Sequence, residues 1–137
     1  MSYAAAAALQ AAIYQRLAAD PALAAQVGTA IYDALPSGAL PSLYVTLGPE
    51  DVRDRSDRTG AGAWHRFSVS VITESAGFQA AKDVAASIND ALVDADLTLT
   101  RGRLAGLHFE RARARRDGGG QLRRIDMTFR ARIDDTI

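Results

Sequence analysis

Between Ala63 and Leu92 the hydrophobic and polar positions switch from one period to another, and the rest of the chain is arranged around that switch. His65, Phe67, Val69 and Val71 alternate with Arg66, Ser68 and Ser70, the period-two pattern of a half-buried strand. Ser75 then offers a hydroxyl to cap a helix. Phe78, Ala81, Ala85, Ile88 and Leu92 follow at three- and four-residue steps, one apolar helical stripe. An apolar strand face and an apolar helix stripe joined by a short turn can bury each other.

Upstream, Ser2 to Ala19 predicts a helix capped by Ser2, rich in alanine, with Leu9, Ala12, Ile13 and Leu17 on one stripe. Asp20-Pro21 restarts the chain. Asp20 suits a cap, Pro21 the first helical position and Gly28 the exit, which predicts a short second helix over residues 21–27. Ile31 and Tyr32 follow, and Pro36, Gly38 and Pro41 mark a turn-rich connection. Leu43, Val45 and Leu47 alternate with Tyr44 and Thr46, a strand expected to stop at Gly48-Pro49. Glu50 to Gly62 carries charges of both signs and one aliphatic side chain, so a long, mobile loop is expected there. Loops of that length inside a compact domain are often functional, or ordered only by a partner.

Downstream, Leu97 and Leu99 predict a short strand or an edge. Leu104 to Arg116 predicts a strand with room for a bulge, in which Leu107 and Phe109 share a side with Arg111 and Arg113. Gly118, Gly119 and Gly120 turn the chain. Ile125, Met127, Phe129, Ala131 and Ile133 then alternate with Arg124, Asp126, Thr128, Arg130 and Arg132, the cleanest amphipathic strand in the chain. The last two strands are expected to form an antiparallel hairpin, with Phe109 and Phe129 both in the core. The fold class is α+β, in a single domain over residues 1–137.

Composition narrows the chemistry. The absence of cysteine excludes disulfides, thiolate nucleophiles and cysteine-based zinc sites, and fits a cytosolic protein. No apolar run approaches the roughly 18 residues of a membrane span. Ala4–Ala8 is not expected to be a signal peptide, because no basic stretch precedes it. The net charge is zero but unevenly spread: residues 1–100 hold six basic and eleven acidic side chains, residues 101–132 ten arginines and three acids. Lys82 is the only lysine. A bipolar chain of this kind can bind nucleic acid with its basic end, or associate with copies of itself, basic face to acidic face.

No catalytic constellation emerges. His65 and His108 lack metal-site spacing and are expected as two sheet histidines, one near the core. No serine sits in a nucleophile elbow. Asp94 and Asp96 fall in a helix exit loop, with nothing to predict a pocket around them. Gly60-Ala61-Gly62 precedes a strand and Gly118–Gly120 joins two, whereas a phosphate cradle needs a helix N-terminus after the glycines. The expectation is therefore no enzyme, no metal and no cofactor. The arginines are the informative feature. Arg111, Arg113 and Arg115 fall on one side of a strand, and Arg124, Arg130 and Arg132 on the polar side of the next. Three readings stay open: a solvated face paired to Glu110 and Asp126, an intersubunit seam against a neighbour's acidic loop, or a nucleic-acid surface. Charge balance favours the seam over nucleic acid, because the rest of the chain holds the matching acids.

Taken together, ALQAAIYQRLAADPALAAQV, IYDALP, PSLYVTLG, the polar loop, HRFSVSVIT, INDALVDADLTL and GRLAGLHFERARARRDGGGQLRRIDMTFRARI resemble, in order and spacing, the tail-terminator (tail-completion) proteins of long-tailed phages and gene transfer agents. The resemblance covers nearly the whole chain. It implies a mixed, mostly antiparallel sheet with an N-terminal helix and a central helix packed on one face, in agreement with the periodicity. It implies a homo-oligomeric, hexameric ring that caps the tail tube, ends its polymerisation and joins it to the head connector. The implied partners are the chain itself, the major tail tube protein, the head connector or stopper protein, and DNA passing through the lumen without sequence readout, with no membrane. Assembly would occur in the cytoplasm, and the finished position would be the head–tail junction of the virion or phage-like particle. No catalytic residue carries over. The expected interface is Asp51, Arg53, Asp54, Arg55, Asp57 and Arg58 of the loop, with Arg111, Arg113, Arg115 and Asp117 of the last hairpin. The alternatives are a head–tail adaptor or stopper, and a small nucleic-acid-binding domain.

Overall fold

The structure, a computed structural model, describes residues 3–54 and 62–135. Its first helix, α1 (Ala6–Ala18), buries Leu9, Ile13 and Leu17 on the stripe the sequence predicts. It starts later than expected. Ala5 stands at the N-cap without a side-chain bond, Ala6 N–H donates to Tyr3 C=O at 3.1 Å, and Ser2 lies outside the described residues. The second helix, α2 (Pro21–Val27), matches its signals at both ends. The Asp20 carboxylate accepts from the Leu23 amide at 3.0 Å, Pro21 occupies the first turn, and Gly28 exits at φ 61°.

The strands are β1 (Ile31–Tyr32), β2 (Leu43–Asp54), β3 (Gly62–Thr73), β4 (Arg103–Asp117) and β5 (Leu122–Asp134), with the central helix α3 (Gln79–Leu92) between β3 and β4. They form one sheet in the order β1-β2-β3-β5-β4. Only the β1–β2 pair is parallel; the others are antiparallel. The core lies between one sheet face and the helices. Phe67, Val69 and Val71 of β3 and Ile125, Met127, Phe129 and Ala131 of β5 pack there with Leu9, Ile13 and Leu17 of α1 and Val84, Ile88 and Leu92 of α3. Phe67 stacks on Phe129 with ring centroids 5.7 Å apart. Burying side chains of this size contributes about 1.5–3 kcal/mol each. Arg16 Nε donates to the Ala91 carbonyl at 2.9 Å, holding α1 against the end of α3. On the opposite sheet face, Ala30, Tyr44 and Ile72 make a small second cluster beside Tyr32, Leu40 and Leu122. That cluster explains why β3 is buried on both sides near Thr73.

Four expectations are corrected. First, β2 does not stop at Gly48-Pro49: a bulge between Leu47 and Glu50 absorbs the proline, and pairing resumes from Glu50 opposite Phe67 to Asp54 opposite Ala63. A bulge leaves its extra residues unpaired, so the missing N–H of Pro49 costs no ladder bond. The loop expected over Glu50–Gly62 is therefore strand at both ends, and its middle, residues 55–61, lies outside the described residues. Second, Ser75 does not cap α3; its amide donates to Thr73 Oγ1 at 3.1 Å, and the helix begins at Gln79 with Phe78 at the N-cap. Third, Leu97 and Leu99 are not in a strand; they lie half-buried in the connection to β4, packed on the core.

The fourth correction concerns the arginines. A second bulged strand, β4, shifts register between Leu104 and Gly106 and again between Phe109 and Arg111. Leu107 opposes Ala131 and Phe109 opposes Phe129, both core-side, but Arg111 opposes Thr128 and Arg113 opposes Asp126. The extra residue at Glu110 inverts the alternation, so Arg111 and Arg113 leave the side of Leu107 and Phe109 and join the helix-free face. Phe109 itself is not core: it is 45% exposed, with its ring edge-on to Phe129 at 5.9 Å.

Candidate interface

Alternation places charged side chains on the face that the helices leave bare. Trp64 and Arg66 of β3, Arg124, Asp126, Arg130 and Arg132 of β5, and Arg111, Arg113 and Arg115 of β4 all carry that phase. Arg66 and Arg130 are directly opposed like charges, an unfavourable cross-strand pair unless each finds another partner. They diverge. Arg66 makes a forked pair with Glu110, Nε and Nη2 at 2.6 and 2.7 Å, while Arg130 lies over the Trp64 ring, 4.4 Å from its centroid. The hydrogen bond and charge of Arg66 hold the Glu110 carboxyl below its usual pKa, against the opposing effect of desolvation. These groups surround a shallow pocket lined by Asp51, Arg53, Trp64, Arg66 and Arg130.

A second network lies near the hairpin turn. Asp126 accepts from Ser70 Oγ at 2.6 Å, Arg124 Nε at 2.7 Å and Arg115 Nε at 3.4 Å. Desolvation opposes its charge, but the Ser70 and Arg124 bonds and the two guanidinium charges outweigh it, and the carboxyl lies below its usual pKa. Asp117 stands 3.9 Å from Arg115 and accepts from the Gly118 amide at 2.9 Å, opening a turn in which Gly118, Gly119 and Gly120 all have positive φ.

The residues expected at an interface fall into two groups. Asp51, Arg53 and Asp54 lie at the far end of β2; Arg111, Arg113, Arg115 and Asp117 lie on β4, beyond β3 and β5. Arg55, Asp57 and Arg58 lie outside the described residues. Asp51 is 3.7 Å from Arg53, and Arg115 is held by Asp126. Arg111 and Arg113 make no ion pair among the described residues. Sequence reasoning placed Arg130 on the polar side of its strand but missed Trp64 and Arg66 as its neighbours on this face. Their phase was readable, because Trp64 and Arg66 flank the inward His65, but their partners Asp51 and Glu110 belong to strands whose bulges hid the register.

His65 is fully buried on the core side and His108 is exposed on the helix-free side, two sheet histidines with one near the core. Neither His65 ring nitrogen has a hydrogen bond. Its Nδ1 lies 3.6 Å from the Glu50 carboxylate, too long for a hydrogen bond and an ion pair only when the ring is protonated. Among the described residues no group of three or more His, Asp or Glu converges as a metal site, and no helix is long and apolar enough to cross a membrane.

Comparison with known proteins adds to this geometry. The model of the family "Tail completion protein gp17" matches residues 11–134. No curated protein matches the chain. A solved structure described as the virion of a native gene transfer agent particle contains a chain that is 63% identical, with a TM-score of 0.93 over 97% of this chain and 99% of that one.

Proposed function

This chain belongs to the tail completion protein gp17 family, and we propose that it forms a hexameric ring on the head-proximal end of a phage-type or gene-transfer-agent tail. The role is structural rather than enzymatic. The ring caps the tail tube, ends its polymerisation and presents the surface that the head connector or stopper binds, with DNA passing through the lumen without sequence readout. The observation that carries this reading is the near-complete likeness, at 63% identity, to a chain of a gene transfer agent virion. In this reading residues 1–137 act as one domain, finished in the virion-type particle at the head–tail junction. The far end of β2 with the residues up to Gly62, and the hairpin tip around Asp117–Gly120, contact neighbouring copies or the tube.

Tail length by electron microscopy, in particles made without this chain, tests the proposal. Overlong tails of scattered length, unattached to heads, are the expected result. Tails of normal length beside separate heads would move the role to a head–tail adaptor or stopper. Normal particles would overturn both, and steep salt-dependent DNA affinity of the isolated chain would then favour a nucleic-acid-binding domain.

A further inference from the structure

Both sides of the sheet end in a strand with an unpaired stretch, and the two stretches match. β1 covers β2 only at Val45 and Thr46, so beyond them β2 has β3 as its one strand neighbour among the described residues. On the other side, the connection after α3 closes the start of β4, where the Asp94 amide donates to the Leu107 carbonyl at 3.0 Å. From Phe109 onward β4 has only β5 as a strand neighbour among the described residues. The bulges trim each open edge further. Pro49 lacks an N–H, which leaves Glu50–Arg53 on β2, and the Glu110 bulge leaves Arg111–Arg115 on β4.

Direction, face and charge agree. β2, β3, β5 and β4 alternate in direction, so β2 and β4 run antiparallel to each other. A second copy in the same orientation, with its β2 beside this β4, continues the alternation without a reversal. On the helix side, Val52 lies opposite His65, while Ala112 and Ala114 lie opposite Met127 and Ile125. Phe109, Ala112 and Ala114 are exposed there, an apolar strip that ends at a free edge. On the helix-free face the β2 stretch presents Asp51 and Arg53, with Glu50 on the helix side; the β4 stretch presents Arg111, Arg113 and Arg115 there and no acid. Two β4 edges brought together would set arginine against arginine, so this edge disfavours its own kind and accepts the one that presents Asp51.

We propose that β4 of one copy pairs antiparallel with β2 of the next, Arg111–Arg115 beside Glu50–Arg53, so that the sheet runs on from subunit to subunit. The inference rests on the ring reading above and specifies its seam. Main-chain bonds supply the contact, alternate side chains supply the selectivity, and a heterologous contact of this type closes into a ring where the rotation between copies permits.

The chain has no cysteine, which makes disulfide trapping clean. Directly opposed residues of an antiparallel pair have Cα atoms roughly 4.5–5.5 Å apart, within the range a disulfide spans. Val52→Cys, Ala112→Cys and Ala114→Cys are introduced into the full chain singly, and Val52→Cys is combined with each of the other two. Assembled particles are oxidised and run on non-reducing gels. One of the combined variants is expected to give a ladder of linked multimers, while the single variants stay monomeric. Particles that contain the chain at normal occupancy but give no multimer from either combination overturn the seam and leave the ring reading standing. Dimers from Ala112→Cys or Ala114→Cys alone overturn it in favour of a β4–β4 contact. Absence of the chain from purified wild-type particles overturns the ring reading and the seam with it. A charge exchange gives an independent readout: Arg113→Glu is expected to lower incorporation about tenfold, and Asp51→Arg in the same chain to restore it. Unchanged incorporation in Arg113→Glu counts against the seam.

Discussion

Arg115 and Arg124 face each other across the β4–β5 ladder and donate to opposite oxygens of one carboxylate, that of Asp126. Two like charges in register are tolerable because the anion sits between them and is itself fixed by Ser70 from β3. Asp126→Asn keeps the shape and removes the charge. At neutral pH it is expected to cost about 1–2 kcal/mol.

The pH dependence has a definite sign. The Asp126 carboxyl lies below its ordinary 3.8 in the folded chain. Its contribution is complete above 3.8 and is lost as pH falls through the depressed folded value. Thermal unfolding between pH 7 and pH 2.5 checks this. The wild type should lose stability over the acid end of that range, and Asp126→Asn should lose less.

His65 acts in a different window. Burial lowers its pKa from 6.5, and the charge of Glu50, 20% exposed at 3.6 Å, opposes that shift without cancelling it. The unfolded chain therefore takes up a proton at a higher pH than the folded one. Stability is complete above 6.5 and falls as pH drops below it toward the folded value. His65→Leu removes both the proton site and two buried nitrogens without hydrogen bonds. It is expected to raise stability by about 1 kcal/mol and to flatten the melting temperature between pH 7 and pH 5. An unchanged slope would assign the acid sensitivity to other groups.

Phe129 and Phe109 touch, yet truncating them should cost very different amounts. Phe129 is fully buried between Phe67 and Phe109. Phe129→Ala is expected to destabilise by about 3–5 kcal/mol through transfer and cavity terms. Phe109, 45% exposed, should cost about 1 kcal/mol as Phe109→Ala. Urea unfolding of the two variants measures the contrast, and comparable losses would place Phe109 in the core after all.

The same two residues show where the sequence was legible. β3, β5 and α2 were readable because each carries an uninterrupted signal: alternation through His65–Val71, alternation through Ile125–Ile133, and Asp20-Pro21 with Gly28 around seven helical residues. A bulge defeats this reading, because one unpaired residue at Glu110 reverses the phase of everything after it, and nothing in FERAR marks which residue is extra. Gly48-Pro49 misled for the opposite reason. It is a sound stop signal for a central strand, but among the described residues β2 is flanked by β3 alone there, and a bulge removes the proline from the ladder. The apolar alternation of Leu97 and Leu99 faces the core from a connection with no strand beside it. Of the candidate interface, the arginine phase on β3 and β5 was readable and that on β4 was not; the opposition of Arg66 to Arg130, which sets Glu110 and Trp64 their roles, needed the register.

The cap of α2 offers a local test. Asp20 accepts from the Leu23 amide and Gly28 leaves the helix at positive φ. Asp20→Ala is expected to cost about 1 kcal/mol, and Asp20→Ser or Asp20→Asn much less. Equal losses in all three would point to the carboxylate charge rather than the hydrogen bond.

The central ladder also governs how the molecule folds. β2–β3 and β4–β5 join neighbours along the chain, but β3 and β5 pair residues as distant as Gly62 and Asp134. Closing that span costs loop entropy before most of its contacts form, and topologies dominated by such pairings fold in milliseconds to seconds rather than microseconds. The two hairpins can appear early and separately; their union through Phe67 and Phe129 comes late. Substitutions within either hairpin should therefore slow folding itself, and substitutions along the β3–β5 contact should mainly speed unfolding.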